Sequence, residues 1–138
     1  MTRVLAVTLM LTIAPLAALA ECPWSSEDFN DDSKVVAHIE CKKEEMFDAM
    51  TRAEAARKSM ASRLTEFYGL LDAEGDEKLG KNQSAWLKTT STCPPLSKNV
   101  DEMIARQNCF ESAYIDRAQF LDERLSECKT VGCKPDTL

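Results

Sequence analysis

The amino-acid sequence predicts an all-α protein: a small disulfide-stapled helical bundle with a long first helix, an antiparallel second helix and a third helix. Three observations predict it. Apolar residues recur at alternating spacings of three and four through long proline-free stretches. No alternating strand pattern runs beyond three or four residues. Six cysteines, an even number, follow a segment that reads as an export signal.

That segment comes first. Arg3 supplies a positive start, Val4 to Leu19 an apolar run, and Ala18-Leu19-Ala20 a small-x-small cleavage pattern. Residues 1–20 are therefore expected to be a signal peptide, with the mature chain beginning at Glu21 and no membrane insertion after cleavage. Glu21 stands before Cys22 where a lipoprotein site needs a small residue, which argues against a lipid anchor. The expected location is periplasmic or secreted, an oxidising space in which cysteines form disulfides.

The mature chain has 16 Lys+Arg against 23 Asp+Glu, a net charge of −7. Such a chain has no electrostatic grip on nucleic acid and is repelled by anionic lipid, but it can be steered toward a basic partner. Its length fits one domain with a modest core.

Residues 21–32 read as an irregular N-terminal arm in which Trp24 and Phe29 tuck against the helices. The first helix is expected over Ser33 to Leu71, capped by Asp32 or Ser33. Its seam runs Val36, Ile39, Met46, Met50, Ala53, Met60, Leu64, Phe67 and Leu71, interrupted by Lys43 and Arg57. Cys41 marks a candidate break, and the methionines suggest adaptable packing, chiefly as core, with an exposed methionine-rich groove as the functional alternative. Asp72 to Gly75 is expected to end this helix, with Gly75 as a left-handed cap and Asp76 opening the second. Leu79, Gln83, Trp86 and Leu87 form that helix's inner stripe, and Pro94-Pro95 stops it near Cys93. The short connection makes the first two helices an antiparallel hairpin. Asn99-x-x-Glu102 has capping-box spacing before the third helix, whose stripe is Val100, Met103, Ile104, Phe110, Tyr114, Leu121 and Leu125. The helical domain spans residues 33–128 and the tail 129–138.

The cysteines are Cys22, Cys41, Cys93, Cys109, Cys128 and Cys133. Fifteen full pairings exist for six cysteines, and spacing alone leaves them open. Pairing in sequence order is favoured. For Cys93–Cys109 it carries a geometric demand: Cys109 lies about 13 Å along a helix that begins at Val100. Either the segment 94–99 runs past the end of the second helix before the chain turns, which six extended residues can do, or the third helix starts later than the capping-box spacing indicates. No Cys-x-x-Cys occurs, and His38 is the only histidine, so redox, haem and most zinc arrangements lose their ligands. Neither a phosphate loop nor a nucleophile elbow is present. The expectation is a non-enzyme without cofactor or metal.

Several residues form one pattern: Leu64 and Tyr68 late in the first helix, Gln83-x-x-Trp86 followed by Cys93, then Cys109-Phe110 with Arg117 and Leu121 at helical spacing. Over residues 33–125 this resembles the exported domain of the LprI-type lysozyme inhibitors. The chain departs from that family in having Thr89 and Thr90 where an arginine is usual after the tryptophan, Leu64-Thr65 for a Leu-Asn pair, and a longer stretch from Cys41 to Tyr68. The resemblance implies a lysozyme-inhibitor-like binding protein that blocks a basic cell-wall hydrolase sterically and electrostatically. Trp86 would anchor helices near Tyr68, Gln83 would satisfy a buried polar group, and Arg117 would cap carbonyls or pair with an acid. The acidic turn, Asp72, Glu74, Asp76 and Glu77, is a candidate partner contact, as is the Asp28–Asp32 arm. The alternative is a helical interaction module of the bacterial envelope, an immunity-type protein or complex subunit with a non-lysozyme partner.

Overall fold

The computed structural model describes residues 22–134. The expected signal peptide, residues 1–20, and the last tail residues, 135–138, lie outside the described residues. The fold is a three-helix bundle of α1 (Asp32–Tyr68), α2 (Ala73–Thr89) and α3 (Val100–Val131), stapled by three disulfides. One 3-10 turn, Ser26–Asn30, precedes α1, and another, Thr90–Thr92, follows α2.

Asp31, in extended conformation, caps α1 by accepting the Ser33 and Lys34 N–H groups at 3.0 and 3.4 Å. The cap thus falls one or two residues before the expected ones. The helix is continuous through Cys41 and extends about 55 Å. It ends at Tyr68 rather than Leu71. Gly75 is not its left-handed cap. Asp72 takes the capping role expected of Asp76, accepting the Gly75 N–H at 2.9 Å, and so draws Gly75 and Asp76 into α2. Gly75 is there for closeness: a Cβ would meet Leu71 Cδ2 at 3.0 Å.

Along α2, Leu79 is fully buried and Gln83 and Trp86 are partly buried, but Leu87 is 52% exposed. Leu87 sits one residue, about 100°, round from Trp86 and so leaves the inner face. At the helix end four consecutive hydroxyls, Thr89, Thr90, Ser91 and Thr92, donate to the carbonyls three residues back at 2.6–2.7 Å. They give the carbonyls of the last helical turn a side-chain partner where the chain leaves the helix.

Asn99 caps α3 through the Asp101 and Glu102 N–H groups at 2.9 and 3.2 Å. The Asn99 N–H goes to Ser97 Oγ at 3.0 Å, where a full capping box would have used Glu102. Cys93 and Cys109 are bridged with Cα atoms 5.7 Å apart, although Cys109 lies nine residues past the start of α3. Residues 94–99 therefore overrun the end of α2, the first of the two arrangements the sequence left open. The other bridges are Cys22–Cys41 and Cys128–Cys133, so all three follow sequence order. α3 continues three residues beyond Cys128. At Gly132 the backbone takes φ 86°, and this turns Cys133 back toward Cys128.

α1 and α3 run parallel. Lys42 pairs with Asp101, Arg52 with Glu111 and Arg63 with Asp122, each pair 59 residues apart, so the two helices advance together. α2 returns between their ends and makes its contact through long side chains, while α1 and α3 approach closely along most of their length. With 17 residues against 37 and 32, α2 is too short to cover the pair. The main core lies where it does: Met60, Phe67, Leu79, Ala118, Leu121 and Leu125. Beyond it, α1 and α3 meet over Ala49, Ala53 and Ile104.

Candidate functional site

The residues of the sequence pattern converge at the three-helix end. Arg117, only 5% exposed, donates from Nε to Gln83 Oε1 at 3.0 Å and from Nη2 to Asn82 Oδ1 at 2.7 Å. Its guanidinium lies over the Trp86 ring at 5.5 Å and the Phe120 ring at 4.7 Å. Gln83 thus meets a buried polar group as expected. Arg117 does not pair with an acid or cap carbonyls; two neutral amides and two ring faces hold it. Burial pushes the guanidinium down from the ordinary arginine range. Trp86 has Tyr114 as ring neighbour at 5.9 Å, and Tyr68 reaches α2 beside Gly80. Leu121 is fully buried, with Leu64, Tyr68 and Trp86 packed against its cluster. This constellation fixes α2 on the α1–α3 pair.

The acidic turn is dispersed rather than presented. Asp72 is the α2 cap. Glu74 pairs with Lys78 at 3.1 Å and Glu77 with Lys81 at 2.6 Å, both along the helix. Only Asp76 adds an exposed acid to that surface without a neighbouring lysine so placed. In the arm, Asp28 is tied to Lys34 at 2.8 Å and to Ser25, and Asp31 is the α1 cap. The Lys34 and Ser25 hydrogen bonds lower the Asp28 carboxyl to about 2. Trp24 packs tilted against His38 at 4.4 Å and meets Phe29 edge-to-face at 4.9 Å, while Phe29 itself faces solvent.

The surface with an unspent apolar face lies elsewhere. Where α2 stops, the groove it occupies between α1 and α3 continues toward their N-termini. A hollow of about 320 Å³ opens there, lined by Met50, Ala53, Glu54, Arg57, Gln107, Phe110 and Tyr114. One turn further, Met46 and Met103 occupy the same helix faces and are partly buried. On its α1 side the groove is flanked by Val36, Ile39, Phe47 and Met50, recurring at near-heptad spacing. Phe47 is 68% exposed and Met50 49%. Phe110 stacks on Tyr114 at 6.1 Å, and Arg106 covers the other end of Phe110 at 4.7 Å.

The sequence names Val36, Ile39, Met46, Met50, Ala53, Met103, Phe110 and Tyr114 as seam or stripe and favours core for them, but it does not single out Phe47, the most exposed of the group. What it does not weigh is helix length. The mismatch between a 17-residue α2 and its longer partners is the signal that leaves this part of the seam uncovered.

No group of three or more His, Cys, Asp or Glu side chains among the described residues is arranged to hold a metal ion. No helix among them is long and apolar enough to cross a membrane. The hollow lies between two helices of a disulfide-stapled bundle, with Met50, Ala53, Phe110 and Tyr114 as the apolar part of its lining. Compared with protein-family models, with characterised proteins and with solved structures, the chain shows no match.

Proposed function

We propose that the protein is an exported helical interaction module that binds another protein through the open end of its α1–α3 groove. The observation that carries this is the run of Val36, Ile39, Phe47 and Met50 left facing water beside a formed hollow. Contiguous exposed apolar surface rimmed by polar groups is the usual mark of a docking surface. The disulfides suit the role. Cys22–Cys41 and Cys93–Cys109 tie down the chain on either side of this end, so less order has to be gained on binding.

The test is site-specific photo-crosslinking in cells that export the chain, with the reactive group at position 47 and a control at position 81 on the outer face of α2. A discrete adduct from position 47, absent from position 81, is expected. Equal labelling at both positions, or none, rejects the reading.

A basic lysozyme is a second partner to test, favoured by the family resemblance and by the acidic net charge. With Glu74 and Glu77 matched to lysines on α2, the inhibitory contact would have to rest on other acids. Undiminished lysis of cell walls at a large molar excess of the chain removes that partner and leaves the interaction module standing.

A further inference from the structure

We propose that a second hollow, between the end of α2 and the middle of α3, is a saccharide-binding site. A neutral sugar ring lies there against Trp86 and donates hydroxyl protons to Asp116, Ser112 and a row of threonine oxygens. This hollow shares no lining residue with the open groove, so it stands apart from the binding role proposed above.

Two helices supply its walls. Trp86 and Thr89 from the last turn of α2, with Thr90 and Thr92 from the 3-10 turn after it, form one. Cys109, Ser112 and Asp116 form the other. They follow one another at three and four residues and so share one face of α3. The Cys93–Cys109 bridge joins the walls with Cα atoms 5.7 Å apart, so their spacing is set before any ligand arrives. The hollow holds about 450 Å³, within the range of small-molecule sites.

Hydrogen-bond chemistry narrows the ligand. The Thr89, Thr90 and Thr92 hydroxyls have each spent their proton on a carbonyl three residues back, at 2.6–2.7 Å. A hydroxyl oxygen that has donated still accepts. The Asp116 carboxylate and the Ser112 hydroxyl are exposed and have no side-chain partner among the described residues. The walls are therefore rich in free acceptors, and a ligand that satisfies them must bring many donors.

Charge narrows it further. No Lys or Arg lines the hollow and Asp116 does, so an anion is repelled. A cation against the indole meets the Arg117 guanidinium, which already lies over the Trp86 ring at 5.5 Å. An uncharged ligand with several hydroxyl donors remains. A sugar ring has those donors around its edge, and its C–H bonds give it an apolar, weakly positive face. That face suits the aromatic surface the half-buried Trp86 leaves uncovered.

The test is a nuclear magnetic resonance titration of the purified disulfide-bonded chain, labelled at its indole nitrogens. The probes are four neutral trisaccharides, of glucose, N-acetylglucosamine, mannose and galactose. Trp86 reports the hollow, and Trp24, in the N-terminal arm, is the internal reference. At least one trisaccharide should move the Trp86 signal and leave Trp24 in place, with a dissociation constant of about 1 mM or below. Asp116→Ala, at an exposed position, should weaken that binding about tenfold with the thermal midpoint unchanged. N-acetyl-arginine amide and inorganic phosphate, a cation and an anion, should leave Trp86 in place. Four results would overturn the inference: a still Trp86 signal with all four sugars, equal movement of Trp24, undiminished binding by Asp116→Ala, or binding of the arginine amide or phosphate as tight as that of the best sugar. Tight binding of the arginine amide would make a basic side chain of another protein the occupant. A crosslink from position 47, present or absent, bears on the groove alone.

Discussion

The two ends of this bundle are built from the same pair of parallel helices, yet they solve different problems. At the C-terminal end α2 completes a three-helix core, and Phe67, Leu79 and Leu121 are sealed from water. At the N-terminal end α1 and α3 have only each other, and they meet through alanines and Ile104 while Phe47 and Met50 face outward. A short second helix is enough to cause the difference. One end spends its apolar surface on folding and the other keeps it for use. Two of the three disulfides, Cys22–Cys41 and Cys93–Cys109, lie at or beyond the limit of α2. They supply there the restraint that a core supplies at the other end.

The largest effect should separate the ends directly. Leu121→Ala removes a fully buried side chain from the three-helix core and should cost about 2–5 kcal/mol. Phe47→Ala, at a side chain mostly in water, should change stability by no more than about 0.5 kcal/mol. Urea melts of the two variants measure both. A cost for Phe47→Ala that approached that of Leu121→Ala would erase the distinction and show that Phe47 is already covered.

Next comes the bridge at the border. Replacing Cys93 and Cys109 together by serine opens a loop of 16 residues and should cost about 3 kcal/mol. Native-state hydrogen exchange gives the location. The segment 94–105 should lose protection first, while amides around Phe67 and Leu121 keep theirs. Uniform loss of protection through all three helices would mean that the bundle unfolds as one unit and that its ends are not independently held.

Which features the sequence revealed follows the same line. Periodicity marked all three helices, and the proline pair stopped the second. Helix rise and disulfide reach narrowed the course of residues 94–99 to an overrun or a later start of α3, and the Asn99 cap selects the overrun. The junction of α1 and α2 was not legible, because Asp72 and Asp76 are equally good caps and only packing of Gly75 against Leu71 decides between them. The company of Arg117 was half legible. Gln83 and Trp86 share its pattern, but Asn82 lies one residue off the stripe and becomes a partner only once the helices are set together. The parallel run of α1 and α3 rests on ion pairs 59 residues apart, a separation no local pattern carries. The open groove was readable in part: its methionines lie on the seam, but Phe47 lies off it and is found only in the folded chain, since periodicity says which face is apolar and not what covers it.

A smaller effect sharpens where the filled end stops. Arg117 sits where α2 packs on α3, one turn short of the Trp86–Tyr114 contact, a buried cation satisfied by amides and rings. Arg117→Ala leaves Gln83 and Asn82 without their donor and should cost about 2 kcal/mol. Arg117→Met, which fills the space and removes the buried charge, should cost less than about 1 kcal/mol. Thermal or urea melts compare them. If methionine proves as damaging as alanine, the fork of hydrogen bonds, rather than the filled volume, is what seats α2.

The smallest effect belongs to the arm, which covers α1 beyond the start of α3. Asp28 is held at about 2 by the Lys34 and Ser25 hydrogen bonds, below its ordinary 3.8. A carboxyl whose folded value is depressed contributes fully above the unfolded value and loses that contribution as pH falls through the folded one. The arm's tie to Lys34 should therefore persist from neutral pH to about 4 and weaken between about 4 and 2. Trp24 of the same arm packs against His38, so its fluorescence reports the change. In Asp28→Asn the low-pH change in emission should disappear, while the midpoint of global unfolding at pH 7 stays where it is, as befits a solvent-exposed pair. An unchanged acid transition in that variant would assign the titration to another carboxyl and detach the arm from Asp28.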